Sequence, residues 1–208
     1  NALVLNIGTL TPSLIKSMIL AGKKANEKNI PVVLDAVGVG ATKLRTEKAK
    51  EILEEIKVDI IKGNGGEIGT LAGAKAKVKG VESMGFEGER KDIVKTLAKK
   101  YCSVVVMTGK EDIISDGKTT YFVLNGHEMM GSVVGTGCMA TSLIGSFASV
   151  EKNYAKASAY ALSCFGIAGE LGSKKAKGPG EFKERLYDAL YNLNEKILKN
   201  MVKIKIEG

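Results

Sequence analysis

The feature that most constrains the fold is an alternation of short β-branched runs with longer amphipathic segments. A short apolar run such as 31–35 can form a strand buried on both faces, and the segments between such runs have the apolar spacing of helices. Parallel strands need a crossover between them, usually a helix, and this alternation is typical of that arrangement. The sequence therefore predicts an α/β fold of three layers, with helices on both faces of a mostly parallel central sheet.

Turn and capping residues set the boundaries of the predicted elements. Thr11 followed by Pro12 is typical of a helix start, and Thr46 is predicted to cap the second helix. Residues 73–89 have no clear period and are predicted to be loop with fragments of helix. Strands are predicted at 2–7, 31–35, 59–62, 103–108 and 202–206, a hairpin with an Asp-Gly turn at 113–123, and helices at 12–28, 46–56, 91–101, 138–150, 154–171 and 180–198, with a short one from Glu67.

Length and composition indicate one globular domain over residues 1–208. Hydrophobic residues make up 44% of the chain and charged residues 26%, which excludes a disordered protein. The net charge is +8, but lysines mix with glutamates over 47–51 and aromatic residues make up only 5%, so neither nucleic acid nor a membrane is expected as a partner. Because residues 2–7 are predicted to be a strand already under way, the domain is expected to be incomplete at its amino terminus.

Cysteine and histidine usage limits the chemistry. The three cysteines, Cys102, Cys138 and Cys164, are odd in number and widely spaced. A disulfide scaffold or a CxxC metal site is therefore not expected, and a reducing cytoplasm is the natural setting. Cys102 and Cys164 are interpreted as packing residues. The one histidine, His127, has no serine or cysteine partner by spacing and is interpreted as a hydrogen-bonded structural residue.

Polar residues and glycines follow four of the predicted strands. They are found at 6–9, at Asp35, at 62–64 and at 108–109. In open α/β sheets, ligands bind beyond the carboxyl ends of the strands. One such cluster could serve turn geometry alone, but four in succession predict a functional edge.

The run Gly135-Thr136-Gly137-Cys138 is the sharpest local signal. Glycines let backbone N–H groups converge, and the start of the helix that follows adds partial positive charge, so this loop could hold a phosphoryl group during transfer. It is not a Walker sequence, because no Gly-Lys-Ser/Thr follows. Cys138 falls in the first helical turn, where the helix start favours a thiolate. The alternative is a plain loop-to-helix turn with Cys138 as a small buried filler.

Two carboxylates and a lysine lie near the ends of adjacent predicted strands. Asp35 ends one strand, and Glu67 opens a short helix soon after the next. Together they could share a hydrated Mg²⁺, which keeps several waters and takes few protein ligands. Lys62 could neutralise phosphate or be a surface lysine. The simpler alternatives for the carboxylates are an N-cap for Glu67 and a loop hydrogen bond for Asp35.

In combination, these motifs resemble those of the hydroxyethylthiazole kinase family, which belongs to the ribokinase-like superfamily. The pattern Asn64-x-x-Glu67 is shared across the superfamily, whereas Gly-Thr-Gly-Cys is typical of this branch, because its relatives have Asp in place of Cys138. A ribokinase-like α/β/α fold is implied. The matching runs extend over the whole chain, at 5–10, 33–41, 62–68, 108–110, 125–127, 134–138, 166–171 and 178–180.

The resemblance implies an enzyme that phosphorylates 4-methyl-5-(2-hydroxyethyl)thiazole with ATP and Mg²⁺ in thiamin salvage. It implies that Asp35 and Glu67 lie in the metal and phosphate region, directly or through water. It implies that Lys62 and Thr108 contact ATP. The family usually has Arg where this chain has Lys62, and lysine lacks the bidentate fork with which arginine binds phosphate.

The resemblance also assigns the glycine-rich run and an assembly. Gly135, Thr136 and Gly137 would form an anion hole, with Gly135 also near the thiazole, and Cys138 would be the catalytic base. A homotrimer with active sites near subunit interfaces is implied. The helix at 154–171 and the one before it carry more apolar surface than one core-facing stripe needs, so part of it is expected to meet a neighbouring subunit.

Two other functions remain open from the sequence. One is another ribokinase-like alcohol kinase, of the hydroxymethylpyrimidine or pyridoxal type. Cys138 disfavours this alternative, because those relatives have Asp at this position. The other is a nucleotide-binding regulatory module without turnover. A weak thiol base would favour this module, as would the lack of about one βα unit that the family has before residue 1 and that contributes to the thiazole pocket.

Overall fold

A mixed sheet runs through the computed structural model of the protein, which describes residues 1–73 and 87–208. Its strands lie side by side in chain order. They are β1 (Leu3–Asn6), β2 (Val32–Asp35), β3 (Ile60–Asn64), β4 (Val104–Thr108), β5 (Asp112–Ser115), β6 (Thr120–Val123) and β7 (Ile204–Glu207). The loop with helix fragments predicted over 73–89 lies for the most part outside the described residues.

Strand direction changes halfway across the sheet. Strands β1 to β4 are parallel, and the pairings from β4 to β7 are antiparallel. Strands β5 and β6 are joined by a short turn in which Gly117 has a φ of +90°, and so short a connection can link only antiparallel strands. The predicted α/β class and hairpin are confirmed, and the sheet is parallel only in its first four strands.

Helices cover both faces of this sheet. They are α1 (Pro12–Glu27), α2 (Lys43–Glu55), α3 (Gly65–Leu71), α4 (Glu87–Tyr101), α5 (Thr136–Ala148), α6 (Tyr154–Ser173), α7 (Pro179–Tyr191) and α8 (Glu195–Met201), with a 3₁₀ helix at Glu128–Ser132. Strand β2 shows the layering, because Val32 and Leu34 pack with the α1 and α2 side while Val33 packs with α5 and α6. The predicted three layers are confirmed. Of the helices in residues 1–73 and 87–208, none has the length and apolar character needed to cross a membrane.

Two predicted helix boundaries are wrong. The residue that caps α2 is Thr42, while Thr46 lies inside the first turn, where its hydroxyl accepts a hydrogen bond from the Gly40 N–H at 3.0 Å. Both threonines have the same capping chemistry, so the sequence did not separate them. The helix predicted over 180–198 is divided into α7 and α8, because Asn194 adopts an extended conformation and caps the second piece.

Burial bears on two further interpretations. In α6, Ala159, Ala161 and Leu162 are buried within this chain, whereas Tyr160 is 41% exposed. Helix α6 packs between the sheet and the helices α5 and α7, and contact of its exposed part with a neighbouring subunit stays a prediction. Cys102 is exposed and has a φ of +50°, so it is not a packing residue. Cys164 agrees with its interpretation, since it is partly buried and burial raises the pKa of its thiol.

Candidate active site

Three neighbouring strands end in a row of polar side chains. Asn6 of β1 is in register with Asp35 of β2, which is in register with Lys62 of β3. Residues in register on parallel strands present their side chains to the same face. Val33, two residues before Asp35, packs against α5, so this row faces the helix that follows the glycine-rich run.

A buried ion pair forms the centre of the row. Lys62 Nζ lies 3.1 Å from Asp35 Oδ1, and the two side chains are 5% and 0% exposed. The other carboxylate oxygen, Asp35 Oδ2, accepts hydrogen bonds from Asn6 Nδ2 at 2.9 Å and Thr141 Oγ1 at 2.8 Å. A buried charge needs this density of partners to offset its desolvation. Lys62 is therefore not a surface lysine.

The glycine-rich run brings the start of α5 to this ion pair. Gly135 has a φ of +97°, which favours glycine, and no side chain caps the helix. Thr136 turns its hydroxyl back to the Met130 carbonyl at 3.0 Å, so it leaves the first amides free. Lys62 Nζ lies 3.1 Å from the position that a Cβ on Gly137 would occupy. An ammonium group and an uncapped helix start thus converge, as an anion hole requires.

Cys138 lies in the first turn of α5, exposed to solvent. Its Sγ accepts a hydrogen bond from Asn6 Nδ2 at 3.3 Å, so the thiol belongs to the same network as Asp35. The interpretation of Cys138 as a buried filler is wrong. His127 behaves as interpreted, because its Nδ1 accepts a hydrogen bond from the Met129 N–H at 3.2 Å at the start of the 3₁₀ helix.

Glu67 forms a second contact point next to the row. Its Oε2 accepts the Asn64 N–H at 2.7 Å, and Asn64 Oδ1 accepts the Glu67 N–H at 3.0 Å, which completes a capping box for α3. Its Oε1 accepts the Gly38 N–H at 2.8 Å. Glu67 therefore joins the loops after β2 and β3 and stays partly exposed. Within the described residues, no group of three or more His, Cys, Asp or Glu side chains is placed to hold a metal ion.

The end of β4 carries a further polar cluster. Thr108 is partly buried, and its hydroxyl donates to the Gly63 carbonyl at 3.3 Å. Just beyond it, the Gly109 N–H donates to Asp112 Oδ1 at 3.0 Å. Burial raises the pKa of the Asp112 carboxyl to about 7, although the Gly109 N–H and the charges of Lys62 and Arg90 lower it. Asp112 therefore changes its charge near neutral pH.

Sequence reasoning missed three members of this region. The sequence places Asn6 only in a strand-end cluster and Thr141 only within a helix, and it does not single out Asp112. Signals existed for two of them: Asn6 ends its strand as Asp35 does, and Thr141 follows Cys138 by three residues, which places both on one side of a helix. For Asp112 we find no local signal, because its pKa depends on enclosure by α4 and the sheet.

Comparisons with known proteins identify the family of this chain. The profile described as "Hydroxyethylthiazole kinase family" matches residues 1–196. A hydroxyethylthiazole kinase from Methanosarcina mazei is 57% identical over 205 residues, covering 99% of this chain and 78% of the relative. Another, from Thermoanaerobacter pseudethanolicus, is 50% identical over 209 residues, covering 100% and 79%.

Solved structures support the same assignment. The hydroxyethylthiazole kinase protein from Pyrococcus horikoshii superposes with a TM-score of 0.91 at 43% identity, covering 100% of this chain and 77% of that chain. A pyridoxal kinase from Staphylococcus aureus has a TM-score of 0.66 at 18% identity, covering 98% and 72%, and shows the ribokinase-like fold alone. On the profile and the sequence identities, this chain belongs to the hydroxyethylthiazole kinase family.

Proposed function

We propose that the protein transfers the γ-phosphoryl group of ATP to the primary hydroxyl of 4-methyl-5-(2-hydroxyethyl)thiazole, a step in thiamin salvage. The observation that carries the proposal is the meeting of the buried Lys62–Asp35 ion pair with the uncapped start of α5. Phosphoryl transfer depends on stabilising negative charge in place, and this is what a fixed ammonium group and oriented amides provide. The named activity of the curated relatives supports the choice of acceptor.

Cys138 is the proposed catalytic base. The hydroxyl oxygen of the acceptor forms a bond to the γ-phosphorus, and the bond from that phosphorus to the β–γ bridging oxygen breaks, so that ADP leaves with the electron pair. The hydroxyl proton passes to the Cys138 sulfur and then to water. We assign the amides of the anion hole to Gly135, Thr136 and Gly137, and we also assign Gly135 to the thiazole contact, which the family resemblance implies.

Lys62 and Thr108 are the proposed ATP contacts. Lys62 Nζ lies beside Gly137, so we assign it to the phosphate being transferred. Thr108 ends β4 within the same sheet edge, where ATP would lie in an open α/β sheet.

Of the two candidate carboxylates, Glu67 is better suited than Asp35 to hold Mg²⁺. Glu67 is partly exposed, and each of its oxygens keeps a lone pair beyond the N–H it accepts, so it can hold a hydrated ion through water. Asp35 has no exposed surface and already has three donors, so we assign it to the metal and phosphate region through its charge and through Lys62. Mg²⁺, when bound, neutralises charge on the phosphates. Glu67→Gln should raise the Mg²⁺ concentration that gives half-maximal rate, and an unchanged Mg²⁺ dependence would remove Glu67 from the metal region.

We also propose that the protein is a homotrimer located in the cytoplasm. The cytoplasm is supported by the three cysteines, which are unpaired. The trimer, with sites near subunit interfaces, is supported by the family resemblance and by Val134, an apolar side chain that is 97% exposed directly before the glycine-rich run. Light scattering of the protein should give the mass of three chains, and a monomer at micromolar concentration would contradict the trimer.

A coupled assay for ADP release tests the activity. Hydroxyethylthiazole, hydroxymethylpyrimidine and pyridoxal are offered separately with ATP and Mg²⁺, and the product is identified by mass spectrometry. We expect the thiazole phosphate as the main product. Preference for another alcohol would place the chain with the other ribokinase-like kinases, and nucleotide binding without any product would indicate a regulatory module.

A further inference from the structure

Asn6, the last residue of β1, lies between the buried carboxylate and the exposed thiol. We propose that Asn6 is a positioning residue that holds the Cys138 sulfur in place through a hydrogen bond from its side-chain amide. Its amide group donates one hydrogen to Asp35 Oδ2, at 2.9 Å, and the other to Cys138 Sγ, at 3.3 Å. The role in turnover rests on the proposed function, whereas the effect on the thiol does not.

The orientation of the Asn6 amide is fixed by the backbone. Asparagine oxygen and nitrogen are distinguished only by their hydrogen-bond partners. Asn6 Oδ1 accepts the Gly8 N–H at 2.9 Å, and a backbone N–H can only donate. The oxygen must therefore face Gly8, which leaves the NH₂ group facing Asp35 and Cys138. Both of these partners are acceptors, so each hydrogen of the group has one partner.

Gly8 is the residue that leaves room for this arrangement. A Cβ added at Gly8 would lie 2.9 Å from Asn6 Oδ1, closer than real Cβ contacts allow. Any side chain at this position would push the amide oxygen, and with it the NH₂ group. The Gly8 carbonyl is itself held by Arg45 Nη2 at 2.9 Å, so the turn cannot simply move away.

The charges around the thiol explain why a neutral donor is needed. The charged side chains of the row on neighbouring strands are Asp35 on β2 and Lys62 on β3, and they form an ion pair with each other. The negative charge of Asp35 therefore lies behind Asn6, where it would oppose a thiolate. An N–H hydrogen bond to the sulfur stabilises the charged form and is stronger for it than for the thiol. Asn6 supplies this bond and separates the two negative groups.

Base catalysis by the Cys138 sulfur needs the sulfur to be held in position and its charge to be stabilised. The sulfur must accept the hydroxyl proton as the oxygen attacks the γ-phosphorus, so its lone pair must point at the substrate. The bond from Asn6 occupies one direction at the sulfur and leaves the remaining directions to the acceptor. Loss of Asn6 should therefore lower kcat with a smaller effect on the KM for ATP, which is bound by other groups.

The test is the rate of alkylation of each cysteine by iodoacetamide between about pH 6 and 10, followed by peptide mass spectrometry, because the thiolate is the reacting form. In Asn6→Ala, the alkylation rate of Cys138 at pH 7 should be about 10-fold or more lower, because the reacting form of the sulfur loses a hydrogen bond to a charged group. Cys102 is exposed and far along the chain, so its profile should not change and serves as the internal reference.

A matched control removes another asparagine that joins two segments. The Asn26 side chain bonds to the Lys57 carbonyl and N–H, near the end of α1, outside the site. Asn26→Ala should leave the Cys138 profile and kcat as in wild type. Gly8→Ala should act in the same direction as Asn6→Ala, and it should add nothing further in the Asn6→Ala background.

The outcomes separate the two proposals. A Cys138 profile within twofold of wild type at every pH in Asn6→Ala overturns the role of Asn6. If Asn6→Ala does not fold, an unchanged profile in Gly8→Ala overturns it equally. Wild-type protein that phosphorylates no alcohol would refute the proposed function and leave the alkylation result standing.

Discussion

The ion pair between Asp35 and Lys62 offers the sharpest test of the structure, through Asp35→Asn. The substitution keeps the shape of the side chain and replaces one oxygen by NH₂. Lys62 Nζ donates to Oδ1, and Asn6 Nδ2 and Thr141 Oγ1 donate to Oδ2. In either orientation, the new NH₂ group meets a donor, and Lys62 loses the negative charge opposite it.

The expected cost follows from burial. Removing one partner of a buried ion pair destabilises by about 3–5 kcal/mol, because the other charge remains buried without compensation. Lys62→Met should cost less, about 2–3 kcal/mol, since Asp35 keeps two hydrogen-bond donors. The double variant should lose about 2–3 kcal/mol less than the sum of the two, because neither charge is left alone.

Urea denaturation of the four proteins measures these differences, with the m-value compared to confirm that the unfolding transition is the same. Lys23→Met provides a control, because Lys23 pairs with Glu55 at the surface, where a salt bridge contributes about 0–1 kcal/mol. If the two single-variant losses add to within about 0.5 kcal/mol in the double variant, the two side chains do not interact as described and the reasoning is refuted.

Three further predictions concern single sites. Asp112→Asn should gain stability over wild type as pH rises from about 4 to about 7, because burial raises the pKa of the folded carboxyl to about 7, above its unfolded value. The gain in urea unfolding should be about 1–2 kcal/mol at pH 9, since partial exposure screens the effect, and nothing near pH 4; a constant difference would contradict it. Cys138→Ala should lower kcat by about 10²-fold or more and Cys138→Asp should keep activity; if Ala equals wild type at every pH, the thiol is not the base. Gly166→Ala should destabilise by about 1–3 kcal/mol, because its Cβ would lie 2.4 Å from the fixed Asn125 carbonyl oxygen; Gly22→Ala meets only a movable side chain and should change the unfolding midpoint little.

The sequence predicts well what depends on neighbouring residues. The order of strands and helices follows from hydrophobic periodicity, and the Asp116-Gly117 turn follows from local backbone preference. The placement of Asp35 and Lys62 at one edge follows from parallel strands that end together. These features need no knowledge of what packs above the sheet.

Features that depend on distant contacts could not be predicted. Lysine is usually exposed, so nothing local indicates that Lys62 is buried; its burial follows from the docking of α5 on the sheet. Most of the apolar surface of α6 packs on the sheet and on α7 and only Tyr160 among residues 159–162 stays exposed, a division that the apolar pattern alone does not reveal. The bond between Asn6 and Cys138 likewise joins two residues whose relation appears only in the folded chain.

The order in which the chain is synthesised has a consequence for this row. Asn6 and Cys138 are 132 residues apart, and Asp35 and Thr141 are 106 apart. The strands that carry Asn6, Asp35 and Lys62 leave the ribosome well before α5, and until that helix docks the ammonium and carboxylate groups stay hydrated. One late event therefore both dehydrates the ion pair and delivers the thiol, after the loop-closure entropy of more than half the chain has been overcome. A nascent chain is therefore expected to complete the row of Asn6, Asp35 and Lys62 with its α5 partners only at this step.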